Sequence, residues 1–134
     1  MTTRRNIIAA AMVVAIAAGA AEAAPPTVEI LSMSHWPVQS ALKPVREFLA
    51  RQGSRVRVVQ KDVEGPDGEK RLKSIGLKGH IPLVLIIDGQ HRYKRADGRV
   101  VEFVNFPAAA GNPMGLNGAW TTADFESALL ARLK

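Results

Sequence analysis

The five residues Leu83 to Ile87 form an unbroken apolar run in a chain of 134 residues. A run this short, rich in Leu, Val and Ile and closed by the turn pair Asp88-Gly89, predicts a β-strand rather than a helix. Because no polar residue interrupts the run, we expect this strand to be covered on both faces.

Four further elements are predicted before this strand. Val28 to Leu31 is β-branched and apolar, which predicts a buried strand, whereas Val38 to Ala50 repeats apolar residues at steps of three or four, the helical period. Arg55 to Gln60 alternates as a half-buried strand does. Gly68 to Leu77 is predicted to form a short polar helix that ends near two glycines.

A hairpin and a helix are predicted after the strand. Asp97-Gly98 lies between Tyr93 and the apolar stretch Val100 to Phe103, a pattern typical of a β-hairpin. The chain then ends in a helix that Thr121 or Thr122 begins. Its predicted apolar face comprises Phe125, Leu129, Leu130 and Leu133. The predicted order is β-α-β-α-β-β-α.

Residues 1–23 have the three regions of a secretory signal peptide. Arg4 and Arg5 precede an apolar run from Ile7 to Ala18, and Ala21-Glu22-Ala23 ends the segment. The run is shorter than the roughly 20 residues that span a bilayer, so we expect cleavage after Ala23 and no membrane span. Export to the periplasm by the Sec or the twin-arginine route leaves residues 24–134 as one domain.

The chain contains no cysteine. Thiol chemistry, disulfide exchange and cysteine metal ligation are therefore excluded, and the core alone must hold the domain together. The formal net charge is +6, but the basic residues are scattered. Because an exported protein does not meet nucleic acid, we expect an exported protein or peptide as partner, with at most weak contact to anionic surfaces.

Residues Gly76 to Leu85, GLKGHIPLVL, resemble the glycine-rich turn, cis-proline and following strand of the thioredoxin-like family. Pro44 is similar to the kinking proline of that family's active-site helix. With the predicted element order, the resemblance covers residues 28–134 and implies an α/β, three-layer sandwich. In that fold, helices flank a central mixed sheet of about four strands.

The chain departs from the thioredoxin pattern where the chemistry lies. Counting back from Pro44, Trp36-Pro37-Val38-Gln39 stands where the family has CxxC; in the other register the motif is Pro37 to Ser40. Ile30 replaces the family's buried acid, and His80 is one extra residue before Ile81-Pro82. The resemblance therefore implies a redox-inactive member that is not an enzyme.

Five residues are candidates for contact with a partner: His35, Trp36, Gln39, Ile81 and Pro82. A cis peptide before Pro82 would turn the backbone groups of Ile81 outward, where an extended peptide can pair with them. The nearby start of the helix offers unpaired N–H groups to an anion. Trp36 either contributes a binding surface between these two features or folds back over the helix start.

A copper-binding or copper-delivery protein is the alternative to a binding module. The fold would bring His35 and His80 together, with Met33 or Met114 nearby, and imidazole with thioether sulfur suits copper. Apart from copper at this site, no cofactor is predicted. An enzyme is the third class, but the adjacent pair Ser34-His35 is not a nucleophile arrangement.

The segment from Phe106 to Trp120 is rich in Ala, Gly, Pro and Asn and has neither the helical nor the strand period. It is longer than most connections in compact domains. Because it runs between the predicted hairpin and the last helix, we expect it to lie near the same face as the candidate site.

Overall fold

The computed structural model describes residues 24–108 and 117–133. These residues form a mixed α/β structure with a three-stranded sheet, a two-stranded sheet and three α-helices. The predicted signal peptide, residues 1–23, lies outside them. None of the helices in the described ranges is long and apolar enough to cross a membrane. The elements are β1 (Thr27–Ser32), α1 (Trp36–Gln52), a 3₁₀ turn (Gly53–Arg55), β2 (Arg57–Asp62), α2 (Pro66–Ser74), β3 (Leu83–Ile87), β4 (Arg92–Lys94), β5 (Val100–Glu102) and α3 (Thr122–Arg132).

The three-stranded sheet has the order β2-β1-β3. Strand β1 is parallel to β2 and antiparallel to β3. The chain after β5 runs along the other edge of β3, where the Leu85 N–H donates to the Phe103 carbonyl (2.9 Å) and the Asn105 N–H to the Leu83 carbonyl (2.8 Å). Strand β3 is thus flanked on both sides, and all five of its residues are buried, as the apolar run predicts.

Helices α1 and α2 lie on opposite faces of this sheet. Because side chains alternate along a strand, each helix contacts a different set of strand residues. Arg46 of α1 bonds to Gln60 of β2 on one face. Arg71 of α2 bonds to both carboxylate oxygens of Glu29 of β1, at 3.0 and 2.8 Å, on the other. The predicted apolar stripe of α1 is confirmed. Val38, Leu42 and Val45 are fully buried, and Leu49 is 5% exposed.

An aromatic cluster joins α3 to the rest of the domain. The Phe125 ring packs edge-on against the rings of Phe48 in α1 and Phe103, with centroids 6.4 and 5.7 Å away. Trp120 is fully buried against Phe103, and its indole N–H donates to the Asn105 carbonyl at 3.1 Å. This cluster places α3 on the α1 side of the sheet.

One predicted member of the α3 apolar face is wrong. Leu130 is 42% exposed, whereas Phe125 and Leu129 are fully buried and Leu133 is half-buried. Ala128 takes the fourth place in the buried stripe. Leu130 follows Phe125 by five residues, about 140° around the helix, so it lies at the margin of the buried stripe.

Both predicted Asp-Gly turns are present. Asp88 and Gly89 have φ angles of 47° and 80°, which closes the end of β3. Asp97 and Gly98 join β4 to β5, which pair as an antiparallel hairpin, and Gly98 has a φ of 87°. Glycine suits such turns because a positive φ costs it nothing.

Candidate functional site

The candidate residues lie near one edge of the sheet, at the carboxyl ends of the parallel strands β1 and β2. Ser32 and Asp62 are paired at this edge. Helix α1 begins four residues after Ser32, and α2 begins four residues after Asp62. Ligands of open α/β sheets commonly bind outside the carboxyl ends of the strands.

Trp36 is the first residue of α1, and 73% of its surface is exposed. Of the two interpretations of this residue, the one in which Trp36 folds back over the helix start does not fit this exposure. A large aromatic side chain that projects into solvent at a helix start is available for contact with another molecule.

His35 precedes α1 and connects it to the chain after β2. Its Nε2 lies 3.2 Å from Oε1 of Glu64, and both side chains are at least half exposed. His35 does not cap the helix with its side chain, and the first turn of α1 contains no acidic residue. The backbone N–H groups of that turn therefore keep their partial positive charge without a side-chain partner.

Gln39 has a structural role. Its Nε2 donates to the Met33 carbonyl at 2.7 Å and, over 3.4 Å, to the Ser32 hydroxyl. Its Oε1 accepts a 2.8 Å bond from Arg46. The amide therefore fixes α1 against the end of β1. Because these bonds occupy it, the Gln39 side chain is not a free group for contact with a partner.

The prediction of a cis peptide between Ile81 and Pro82 is wrong. Residues 24–108 and 117–133 contain no cis peptide bond, so this bond is trans. The chain reverses instead at Gly79, whose φ of 91° is in the left-handed region, one residue before the additional His80. From there it enters β3 with the Pro82 carbonyl accepting the Met33 N–H at 2.9 Å.

Ile81 nevertheless retains free backbone groups. Within the described residues, neither its N–H nor its carbonyl takes part in a hydrogen bond, while the next two residues, Pro82 and Leu83, are paired with the chain at the end of β1. The Ile81 side chain is half-buried, and Pro82 is buried. Ile81 therefore offers one donor and one acceptor to an extended chain, whereas Pro82 offers none.

An apolar pocket of about 290 Å³ opens beside Ile81. Its apolar walls are contributed by the residue after β1, the chain after β2, α2 and the turn before β3. Charged and polar residues surround them. The pocket is lined by Met33, Val63, Glu64, Glu69, Leu72, Lys73, Leu77, Lys78, Gly79, His80 and Ile81. The contribution of α2 was missed in the sequence, where that helix is classified only as polar.

The two histidines of the copper hypothesis have different neighbours. His80 lines the apolar pocket, while His35 contacts Glu64. Among the described residues, no three His, Cys, Asp or Glu side chains are grouped so that they could hold a metal ion. Met33 is 2% exposed, and Met114 lies outside the described residues. The copper hypothesis gains no support from this geometry and stays a prediction.

The segment from Phe106 to Trp120 is described at its two ends. The Gly118 N–H donates to the Phe106 carbonyl at 2.7 Å, and the Ala108 N–H donates to the Trp120 carbonyl at 2.8 Å. Phe106 is fully buried. The intervening residues 109–116, which are predicted to lie near the face of the candidate site, are outside the described residues.

No protein-family model matches this chain, and no curated protein is significantly similar to it.

Proposed function

We propose that the protein is a redox-inactive, thioredoxin-like binding module of the periplasm. It holds an extended segment of an exported protein or peptide against Ile81. The strand order β2-β1-β3, continued by residues 103–105 along β3, supports a four-strand thioredoxin-like arrangement. The signal-peptide pattern supports export, and the absence of cysteine means that the module acts without disulfide exchange.

The observation that carries this proposal is the unpaired backbone of Ile81 at the mouth of the apolar pocket. An extended segment that pairs with the Ile81 N–H and carbonyl gains two main-chain hydrogen bonds. Because side chains alternate along such a segment, one of them enters the pocket. The exposed Trp36 at the start of α1 supplies a flat apolar surface for a neighbouring residue of the segment.

The test begins with selection of binders from a displayed library of random peptides. The affinity of one selected peptide is then measured by calorimetry against wild type and four variants. Ile81→Pro removes the backbone N–H, whereas Ile81→Ala keeps it. Trp36→Ala removes the aromatic surface, and Val100→Ala removes an exposed apolar side chain on the distant hairpin.

We expect Ile81→Pro and Trp36→Ala each to weaken binding by about tenfold or more, the loss typical of an interface residue that dominates binding. Ile81→Ala has a smaller effect, and Val100→Ala has none. The proposal fails if no peptide is selected above background, or if the selected peptide binds all four variants equally.

A further inference from the structure

A second pocket lies on the opposite face of the sheet edge from the apolar pocket. Its volume is about 370 Å³, and it is lined by Ser32, Ser34, Gln39, Arg46, Gln60, Lys61 and Asp62. We call it the Arg46 pocket. Ser32, the last residue of β1, and residues of α1 line this pocket, whereas Met33, the next residue, and residues of α2 line the apolar pocket. A ligand of the Arg46 pocket is therefore distinct from the partner proposed at Ile81.

Arg46 is held rigidly but has no counter-charge. Its Nη2 donates to Oε1 of Gln39 at 2.8 Å, and its Nη1 donates to Oε1 of Gln60. Among the described residues, no carboxylate oxygen lies within salt-bridge distance of its guanidinium. Two neutral amides thus orient the half-buried cation, and three of its five N–H donors stay free.

Two hydroxyl groups extend the donor set. Ser32 is only 8% exposed, and its Oγ accepts the long bond from Gln39 without donating its own proton to any described residue. Ser34 is exposed and its side chain takes part in no hydrogen bond within the described residues. Both hydroxyls can donate to an anionic oxygen that approaches Arg46.

Asp62 contributes the acceptor in this pocket. Its Oδ1 accepts the Glu64 N–H at 2.9 Å, while its other oxygen has no partner among the described residues. Asp62 pairs with Ser32 in the sheet, so its side chain lies on the same face as the two serines. Lys61 also lines the pocket, although its pairing with Leu31 directs the start of its side chain toward the other face.

We propose that the Arg46 pocket binds a carboxylate that carries an N–H donor on the neighbouring carbon. An α-amino acid and the C-terminal residue of a peptide both have this chemistry. The carboxylate pairs with the free N–H groups of Arg46 and the serine hydroxyls, because guanidinium forms strong, directional bonds with carboxylate. The nitrogen donates to the free oxygen of Asp62. An anion without such a donor would be repelled by Asp62.

Binding is tested by NMR of ¹⁵N-labelled protein, following the Arg46 Nε–H signal and the side-chain amides of Gln39 and Gln60. The probes are alanine, N-acetyl-alanyl-alanine, the same dipeptide with an amidated C-terminus, and inorganic phosphate. We expect saturable shifts with one or both of the first two and none with the last two. Alanine alone identifies a free amino acid as the ligand, whereas the acetylated dipeptide alone identifies a peptide C-terminus.

Arg46→Gln should weaken binding by about tenfold or more, as expected for loss of a charge-assisted hydrogen-bonded pair. Arg55→Gln is the matched control, because it removes the same charge from an exposed residue outside the pocket. Ser34→Ala, which breaks no contact of the fold, should also weaken binding. The proposal is overturned if no carboxylate probe shifts these signals, or if the amidated dipeptide or phosphate binds equally well. It is also overturned if Arg46→Gln and Ser34→Ala both bind the probe like wild type.

Discussion

Arg95 at the end of β4 forms a two-pronged ion pair with Asp124 in the first turn of α3. Its Nε lies 2.9 Å from Oδ1, and its Nη2 lies 2.6 Å from Oδ2. Asp124 also belongs to a capping box. Its carboxylate accepts the Thr121 N–H, and the Thr121 hydroxyl accepts the Asp124 N–H. One carboxylate therefore both begins α3 and attaches it to the hairpin.

We expect Asp124→Ala to lower the free energy of unfolding by at least about 1 kcal/mol, because it removes two hydrogen bonds from Arg95 and one from the Thr121 N–H to a charged group. The measurement is urea unfolding monitored by tryptophan fluorescence. Glu102→Ala is the control, since it breaks the exposed pair with Arg92 and should cost less than about 1 kcal/mol. Equal effects of the two changes would contradict a special role for Asp124.

The same carboxylate predicts a loss of stability in acid. The hydrogen bonds from Arg95, with those from Thr121, hold the pKa of Asp124 below its ordinary value. A carboxyl with a lowered pKa in the folded state stabilises the fold above its unfolded pKa of about 4 and loses that contribution as the pH falls through the folded pKa. We expect the stability difference between wild type and Asp124→Asn to shrink below about pH 4. A difference that stays constant down to pH 2 would refute this linkage.

His91 predicts a second acid effect at higher pH. Burial lowers its pKa below 6.5, with Glu102 opposing the shift and Arg92 adding to it, and its Nε2 is buried without a hydrogen-bond partner. The unfolded chain therefore binds a proton more readily, and wild type loses stability as the pH falls below about 6.5. His91→Gln should remove this component between about pH 7 and 5. The idea is excluded if urea unfolding of both proteins changes in parallel over that range.

The two tryptophans should differ sharply in their effect on stability. Trp36 is 73% exposed, whereas Trp120 is fully buried and hydrogen-bonded. We expect Trp36→Ala to change the free energy of unfolding by less than about 1 kcal/mol and Trp120→Ala to lower it by about 3 to 5 kcal/mol. A comparable loss in both variants, measured by urea unfolding, would show that Trp36 supports the core.

A glycine in α2 sets how closely this helix approaches the end of β2. A Cβ at Gly68 would lie 2.0 Å from the Asp62 carbonyl oxygen, so Gly68→Ala should cost about 1 to 3 kcal/mol as the backbone moves apart. At Gly65 the same oxygen lies 3.4 Å away, and Gly65→Ala should be close to neutral. Thermal unfolding of the two variants separates these outcomes, and equal melting temperatures would reject the close-approach argument.

The copper alternative has a direct test. Binding of Cu(I) and Cu(II) that is equal in wild type, His35→Ala and His80→Ala would reject a copper site on these histidines. A stoichiometric site in wild type that both changes abolish would instead establish the copper-binding function.

Much of the fold could be predicted because burial imposes a period on the sequence. The run Leu83 to Ile87 has the same bounds as β3, and the apolar steps in Val38 to Ala50 identify the core side of α1. Leu130 fails because an apolar residue at the margin of a helical stripe is buried only if a neighbour covers it, and the period does not contain that information.

The site was harder to predict because its features depend on contacts between distant residues. Trp36 and Ile81 could be named, but the exposed state of one and the unpaired backbone of the other follow from the packing. Gln39 was predicted to meet a partner, yet Arg46, seven residues away, takes its side-chain oxygen. No sequence motif indicates the contacts of Arg46 with Gln39 and Gln60, because two amides and one arginine have no characteristic spacing.

Hydrogen bonds join Phe106 with Gly118 and Ala108 with Trp120. Because of these bonds, the length of the intervening chain can change without a change in the rest of the domain. Because the two ends are fastened to each other above the buried Phe106 and Trp120, residues added between them extend a closed loop whose entropic cost grows only slowly with length. This junction is therefore a suitable graft point for a reporter peptide or a fluorescent label.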